Sequence, residues 1–115
     1  MNEYMVFLRG GDARMAEMTE AEIKAHMDLW GAYMGQLGQG GNLLGGLPLA
    51  HSGRLMCNKN TVEGVATLEN GQSIGGWLHL KARDYDHAIE LTKGCPIFDN
   101  DGNVEIREVV PMEKI

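Results

Sequence analysis

The chain is short of several things at once, and each shortage closes off a class of function. Two cysteines, Cys57 and Cys95, match no zinc or redox spacing among the 115 residues. They read as free thiols, which fits a reducing, cytoplasmic setting. The four histidines are scattered without a ligand spacing such as HxxxH, so no structural metal is expected. Positive charge is scarce too: 10 Lys and Arg against 16 Asp and Glu give a net charge of −6. Nucleic acid demands the opposite, a basic stripe. No apolar run approaches the roughly 20 residues that a membrane-crossing helix needs, and no basic-then-apolar leader opens the chain. Aromatics make up 6% of the residues while Met numbers eight, so flexible thioethers fill part of the core. No Pro- or Ser-rich linker divides residues 1–115, and the length suits one domain with a single core.

Glycine, by contrast, is plentiful, at 16 residues. It does not build a phosphate loop. There is no GxxxxGK[ST], and Gly38-Gln39-Gly40-Gly41 follows a helical pattern where a dinucleotide fingerprint would follow a strand. These glycines read as caps and bends. Asp99 to Asn103 places its Gly too early for a calcium loop, and so reads as a turn. No cofactor is expected.

The periodicities give an order of elements. Glu3–Arg9 alternates as a strand, with Tyr4, Val6 and Leu8 on one side and Met5, Phe7 and Arg9 on the other. Gly10–Met18 reads as a loop. Thr19 followed by Glu22 is a capping box that opens a helix to about Leu37, with an apolar stripe of Ile23, Met27, Trp30, Met34 and Leu37. His26 and Tyr33 lie beside that stripe. Asn42–Leu49 is a strand interrupted by a Gly pair, where a bulge is expected. Arg54–Cys57 and Thr61–Leu68 form a hairpin around Asn58–Asn60, and Ser73–Lys81 is a strand with Leu78 and Leu80 opposite Trp77 and His79. Asp84 caps a second helix whose apolar side is Ala88, Ile89 and Leu91, ended by a left-handed Gly94 and by Pro96. Val104–Val110 is the last strand.

Strand, helix, strand, hairpin, strand, helix, strand is the ferredoxin-like βαββαβ order of an α+β protein, with both helices on one face of an antiparallel sheet. The other face keeps Phe7, Trp77 and Val109 among polar groups. It is too apolar to stay wet, and a homodimer that pairs two such faces would cover it.

VFLR at Val6–Arg9, the helix with Trp30, LLGG at Leu43–Gly46, IGGW at Ile74–Trp77, LTKGCPIF at Leu91–Phe98 and VEIREVVPM at Val104–Met112 resemble the YCII-related family, in the branch whose signature is Asp-Gly-Pro-Phe. The resemblance implies a dimeric α+β barrel built from two ferredoxin-like subunits. Where that branch carries its signature, this chain reads Gly64-Val65-Ala66-Thr67. Some YCII relatives act on small molecules through a His–Asp pair, with the His on the first long helix. Arg9, Glu105 and Arg107 match the family pattern.

Two constellations carry candidate chemistry. His26 lies one helical turn before Trp30, and a half-buried imidazole there would serve as general acid or base. The plainer alternative is a His that packs its ring. Asp28 faces elsewhere, so a carboxylate partner for His26 would have to be Asp12 from the loop. Arg9, Trp77 and His79 share one sheet face by alternation, and Glu105 with Arg107 share one face of the last strand. Together they would line a ligand pocket with an aromatic wall and guanidinium forks for a small anionic or carbonyl compound. The alternative is a Glu–Arg network that only seals a dimer interface. His51 reads as a solvated loop residue or the mouth of a pocket, His87 as surface, and Cys95, near a helix C-terminus, as a packed, unreactive thiol.

Overall fold

The computed structural model describes residues 1–64 and 73–115, and of Asp12 and Ala13 the backbone alone. Strands β1 (Asn2–Arg9), β2 (Leu43–Pro48), β3 (Arg54–Asn58), β4 (Thr61–Gly64), β5 (Ile74–Ala82) and β6 (Asn103–Glu108) alternate with helices α1 (Asp12–Ala16), α2 (Glu20–Gln39) and α3 (Tyr85–Thr92). Four strands form an antiparallel sheet in the order β2-β5-β1-β6, and β3 with β4 forms a separate two-stranded one. This is the ferredoxin-like α+β arrangement.

Period-two alternation places the core. Tyr4 and Val6 on β1 and Leu78 and Leu80 on β5 are at most 2% exposed. Val6, Leu78 and Leu80 pack with Leu8, with Tyr33 and Leu37 of α2, and with Cys95, while Tyr4, Ala82 and Ala88 form a second cluster under α3. Each large apolar side chain so removed from water contributes about 1.5–3 kcal/mol. The residues between them, Met5, Phe7, Trp77 and His79, stay half-buried on the opposite face.

Helix α2 starts at the expected capping box. The Glu22 amide donates to Thr19 Oγ1 at 3.2 Å, and the Thr19 amide donates to Glu22 Oε1 at 3.1 Å. Its buried side, however, is centred on His26, Tyr33 and Leu37, with Trp30 at the flank, while Met27 is 53% exposed. The stripe is turned roughly 50° about the axis from the purely apolar one, at 100° per residue. Satisfied polar tips make this possible. Tyr33 Oη donates to the Leu91 carbonyl at 2.7 Å, and His26 has its own partners, so both rings are buried without an orphaned group.

Other departures from the sequence reading have local causes. The expected loop after β1 contains α1, because Gly10 and Gly11 both adopt φ > 0 (76° and 88°) and turn the chain into a helical start where the Met15 amide donates to the Gly11 carbonyl. The irregularity expected in β2 is present, between Leu43 and Gly45, where the Gly pair begins. Gly46 is needed for close approach, since a Cβ there would lie 2.8 Å from Leu78 Cδ2. Gly94 is not left-handed, and α3 buries Ala88 and Thr92 while Ile89 is 43% exposed. The segment Pro96–Asn100 winds into a 3-10 helix, closed by Asp101 at φ 62°. The last strand ends at Glu108. The hairpin turns at Lys59–Asn60, where the Asn60 amide donates to Asn58 Oδ1 at 2.8 Å. The part of the expected hairpin from Val65 to Leu68 lies outside the described residues, as does most of Gly64–Thr67.

Candidate functional site

The first candidate, His26, is 5% exposed on the inner side of α2. Trp30 Nε1–H donates to its Nε2 at 3.0 Å, and Asn100 Nδ2 lies 3.0 Å from the same nitrogen. An indole nitrogen can only donate, so Nε2 is the acceptor and the ring proton sits on Nδ1. Asn100, 3% exposed, comes from the 3-10 helix just before β6. It was not visible in the sequence, where it reads as one more turn residue; a contact spanning 74 positions leaves no local signal. The imidazole thus ties α2 to the segment that feeds the last strand.

The second candidate set occupies the open face of the sheet. Phe7 has Trp77 and Glu105 as cross-strand neighbours, with Leu47 beyond Trp77; Met5 has His79 and Arg107. Arg9 and Glu105 form an ion pair, and Arg107 Nη1 adds a hydrogen bond to Glu105 Oε2 at 3.2 Å. Arg9 Nε is buried with no hydrogen-bond partner among the described residues. His79 Nε2 lies 2.7 Å from Glu3 Oε1, a partner the sequence reading missed. So Arg9, Glu105 and Arg107 do meet, His79 is engaged with Glu3 instead, and Trp77 lies flat enough that a Cβ on Gly45 would be 3.7 Å from its ring.

The two sets do not form one cluster. His26 and Trp30 belong to the helix layer, and the guanidinium network belongs to the opposite side of the sheet. They share only one end of it. Gly11 and Gly102, at that end, pack against Asn100 and against the Arg9 carbonyl respectively.

A concavity of about 340 Å³ lies elsewhere, between α3, the 3-10 helix and β6, lined by Tyr85, Ile89, Thr92, Lys93, Phe98, Val104 and Ile106. Its lining is mainly apolar, and Lys93 at its edge is paired with Glu90 Oε1 at 2.7 Å. Of the remaining ionisable groups, His51 is exposed. His87 is half-buried and caps α3 reciprocally, its amide donating to Asp84 Oδ1 at 2.8 Å while its Nδ1 accepts from the Arg83 amide at 3.0 Å. Burial pushes the Cys95 thiol up to about 11, with the charge of Asp99 adding to it, and burial raises Tyr33 as well. Neither is a nucleophile at neutral pH. No group of three or more His, Cys, Asp or Glu among the described residues is arranged to hold a metal, and no helix there is long and apolar enough to cross a membrane.

A ferredoxin-like α+β protein with polar clusters on both sides of its sheet is therefore the class of protein in hand. The YCII-related domain model matches residues 3–113, nearly the whole chain, and the protein belongs to the YCII-related family. No curated protein matches it.

Proposed function

We propose that the protein works as a homodimer in which two open sheet faces close on each other and each subunit holds a small anionic or carbonyl compound in the sheltered space. Arg9 and Arg107 supply the positive charge, Trp77 the wall, and Glu105 and His79 the polar rim. The observation that carries this reading is the Arg9–Glu105–Arg107 cluster beside Phe7 and Trp77, on a sheet face that no helix covers among the described residues. Arg9 Nε–H, buried with no acceptor among the described residues, adds to it: an unmatched buried donor costs about 1–3 kcal/mol, and a ligand that rearranges the Arg9–Glu105 pair can satisfy it. Acid–base chemistry by His26 would need a separate ligand on the helix side of the sheet, and release of Nε2 by both Trp30 and Asn100. A second reading is favoured by the two donors that already occupy that nitrogen. In it the dimer is a non-catalytic regulatory or assembly module, and His26 is a structural fastener.

Sedimentation equilibrium across micromolar concentrations tests the dimer; a single chain throughout overturns both readings. Thermal shifts with inorganic phosphate and with pyruvate then separate them. Stabilisation of the wild type that Arg9→Gln abolishes supports the binding site. A dimer indifferent to both probes, and equally indifferent to Arg9→Gln, leaves the non-catalytic module.

A further inference from the structure

We propose that the β3–β4 hairpin is an arm with which each copy clasps the other, an inference that rests on the dimer reading and extends it to a second contact. Every residue of the two strands is exposed, and they form a sheet of their own. A lone two-stranded hairpin is marginally stable in water. Yet this one presents an apolar cross-strand pair, Met56 opposite Val62, at 62% and 56% exposure, with Leu55 at 38%. Solvent rewards none of that; a protein surface would.

The dimensions of the molecule agree. A folded 12.6-kDa chain has about 6,200 Å² of accessible surface. This one has 7855 Å², roughly 1,600 Å² more than that expectation. Half of the excess already equals the ~800 Å² that each partner gives to a stable interface. The radius of gyration, 15.6 Å, likewise exceeds the ~13 Å of a compact chain of this length.

A second copy is the occupant that these facts select. The arm leaves the body between the end of β2 and the start of β5, where Leu47, Leu49 and Ile74 are 60%, 46% and 42% exposed. Apolar side chains are therefore exposed both on the arm and where it joins the sheet, and one partner can cover both. The charges on the arm, Arg54, Lys59 and Glu63, are mixed, so two arms in a symmetric pair do not repel strongly. Net charge −6 argues against a nucleic-acid occupant.

The test is the double variant Met56→Glu, Val62→Glu, compared with wild type by sedimentation equilibrium and circular dichroism. In a single chain both side chains face solvent, so the fold should be unchanged. In a clasp, two carboxylates enter an apolar contact, and the dimer dissociation constant should rise at least a hundredfold. Wild type and variant dimerising equally well would overturn the arm while leaving the sheet-face dimer standing. A monomeric wild type would overturn both. Should the variant fail to fold, amide exchange of Arg54–Gly64 in the wild type decides: protection that grows with protein concentration supports the clasp, and protection independent of concentration overturns it.

Discussion

Replacing His26 by Ala is the sharpest test of what holds the two halves of the fold together. The substitution removes a ring that is 5% exposed and leaves two donors, Trp30 Nε1–H and the amide of Asn100, without their acceptor. Each stranded donor costs about 1–3 kcal/mol when buried; Asn100, at 3% exposure, takes the full penalty, and Trp30, half-buried, takes less. Adding the lost ring packing, the expected loss is about 3 kcal/mol, roughly two powers of ten in the folding constant. Trp30→Phe should cost far less, about 1 kcal/mol, because it keeps the aromatic packing and leaves Asn100 on Nε2. Urea unfolding followed by far-ultraviolet circular dichroism reads all three proteins, provided the slope m is unchanged. A His26→Ala variant within 1 kcal/mol of wild type would refute the fastener and return the imidazole to the list of groups available for chemistry.

Glycines make a matched pair of expectations. Gly102→Ala puts a Cβ 2.5 Å from Ile97 Cγ1 and 2.8 Å from the Arg9 carbonyl oxygen, and should destabilise by about 2 kcal/mol or more by urea unfolding. Gly35→Ala, inside α2 with nothing within 4 Å, should stabilise by about 0.5–1 kcal/mol in the same assay. Thr19→Ala removes the α2 cap and should cost about 1 kcal/mol at neutral pH. That cost should not change with pH, because the Thr19 Oγ1 bond accepts from the Glu22 amide; the other half of the box, from the Thr19 backbone amide to the Glu22 carboxyl, holds that carboxyl below its usual range and fades as the pH falls through its lowered value. Alkali acts in the other direction. Cys95, raised from 9.0 to about 11, binds its proton more tightly folded than unfolded, so its share of stability is whole below pH 9.0 and lost as pH rises toward about 11. Cys95→Ala should flatten the pH dependence in that window; an unchanged slope in thermal melts from pH 8 to pH 11 would refute the assignment.

Much of the architecture was legible because strand alternation and helix capping are local. The side assignment of β1 and β5, the capping box at Thr19 and the Asp84 cap all stand as read, since each depends on residues two or three positions apart. The α2 face was displaced because hydropathy counts His26 and Tyr33 as poorer core residues than Met27, and only tertiary partners, Asn100 and the Leu91 carbonyl, reverse that order. Helix α1 was invisible because it is one turn long and depends on two positive-φ glycines instead of a periodic stripe. In the candidate site, alternation put Arg9 on the face of Trp77 and His79, and Glu105 beside Arg107, but that the two groups meet rests on the pairing of β1 with β6. The attachment of His79 to Glu3 and of His26 to Asn100 was not legible either, because both join residues more than 70 positions apart.

The sheet order β2-β5-β1-β6 has a consequence for how the chain must come into being. Of the strands in this sheet the first to be synthesised is an inner one, and both of its neighbours are encoded only from Ile74 onward. Until they arrive, β1 has no backbone partner in this sheet, and the βαβ unit of the first half cannot close because β5 belongs between its two strands. The domain therefore completes late in synthesis, with long loops to close before any inner hydrogen bond forms. A nascent chain stalled before β6 should be captured by chaperones and cut readily by proteases, whereas one released after Glu108 should resist both.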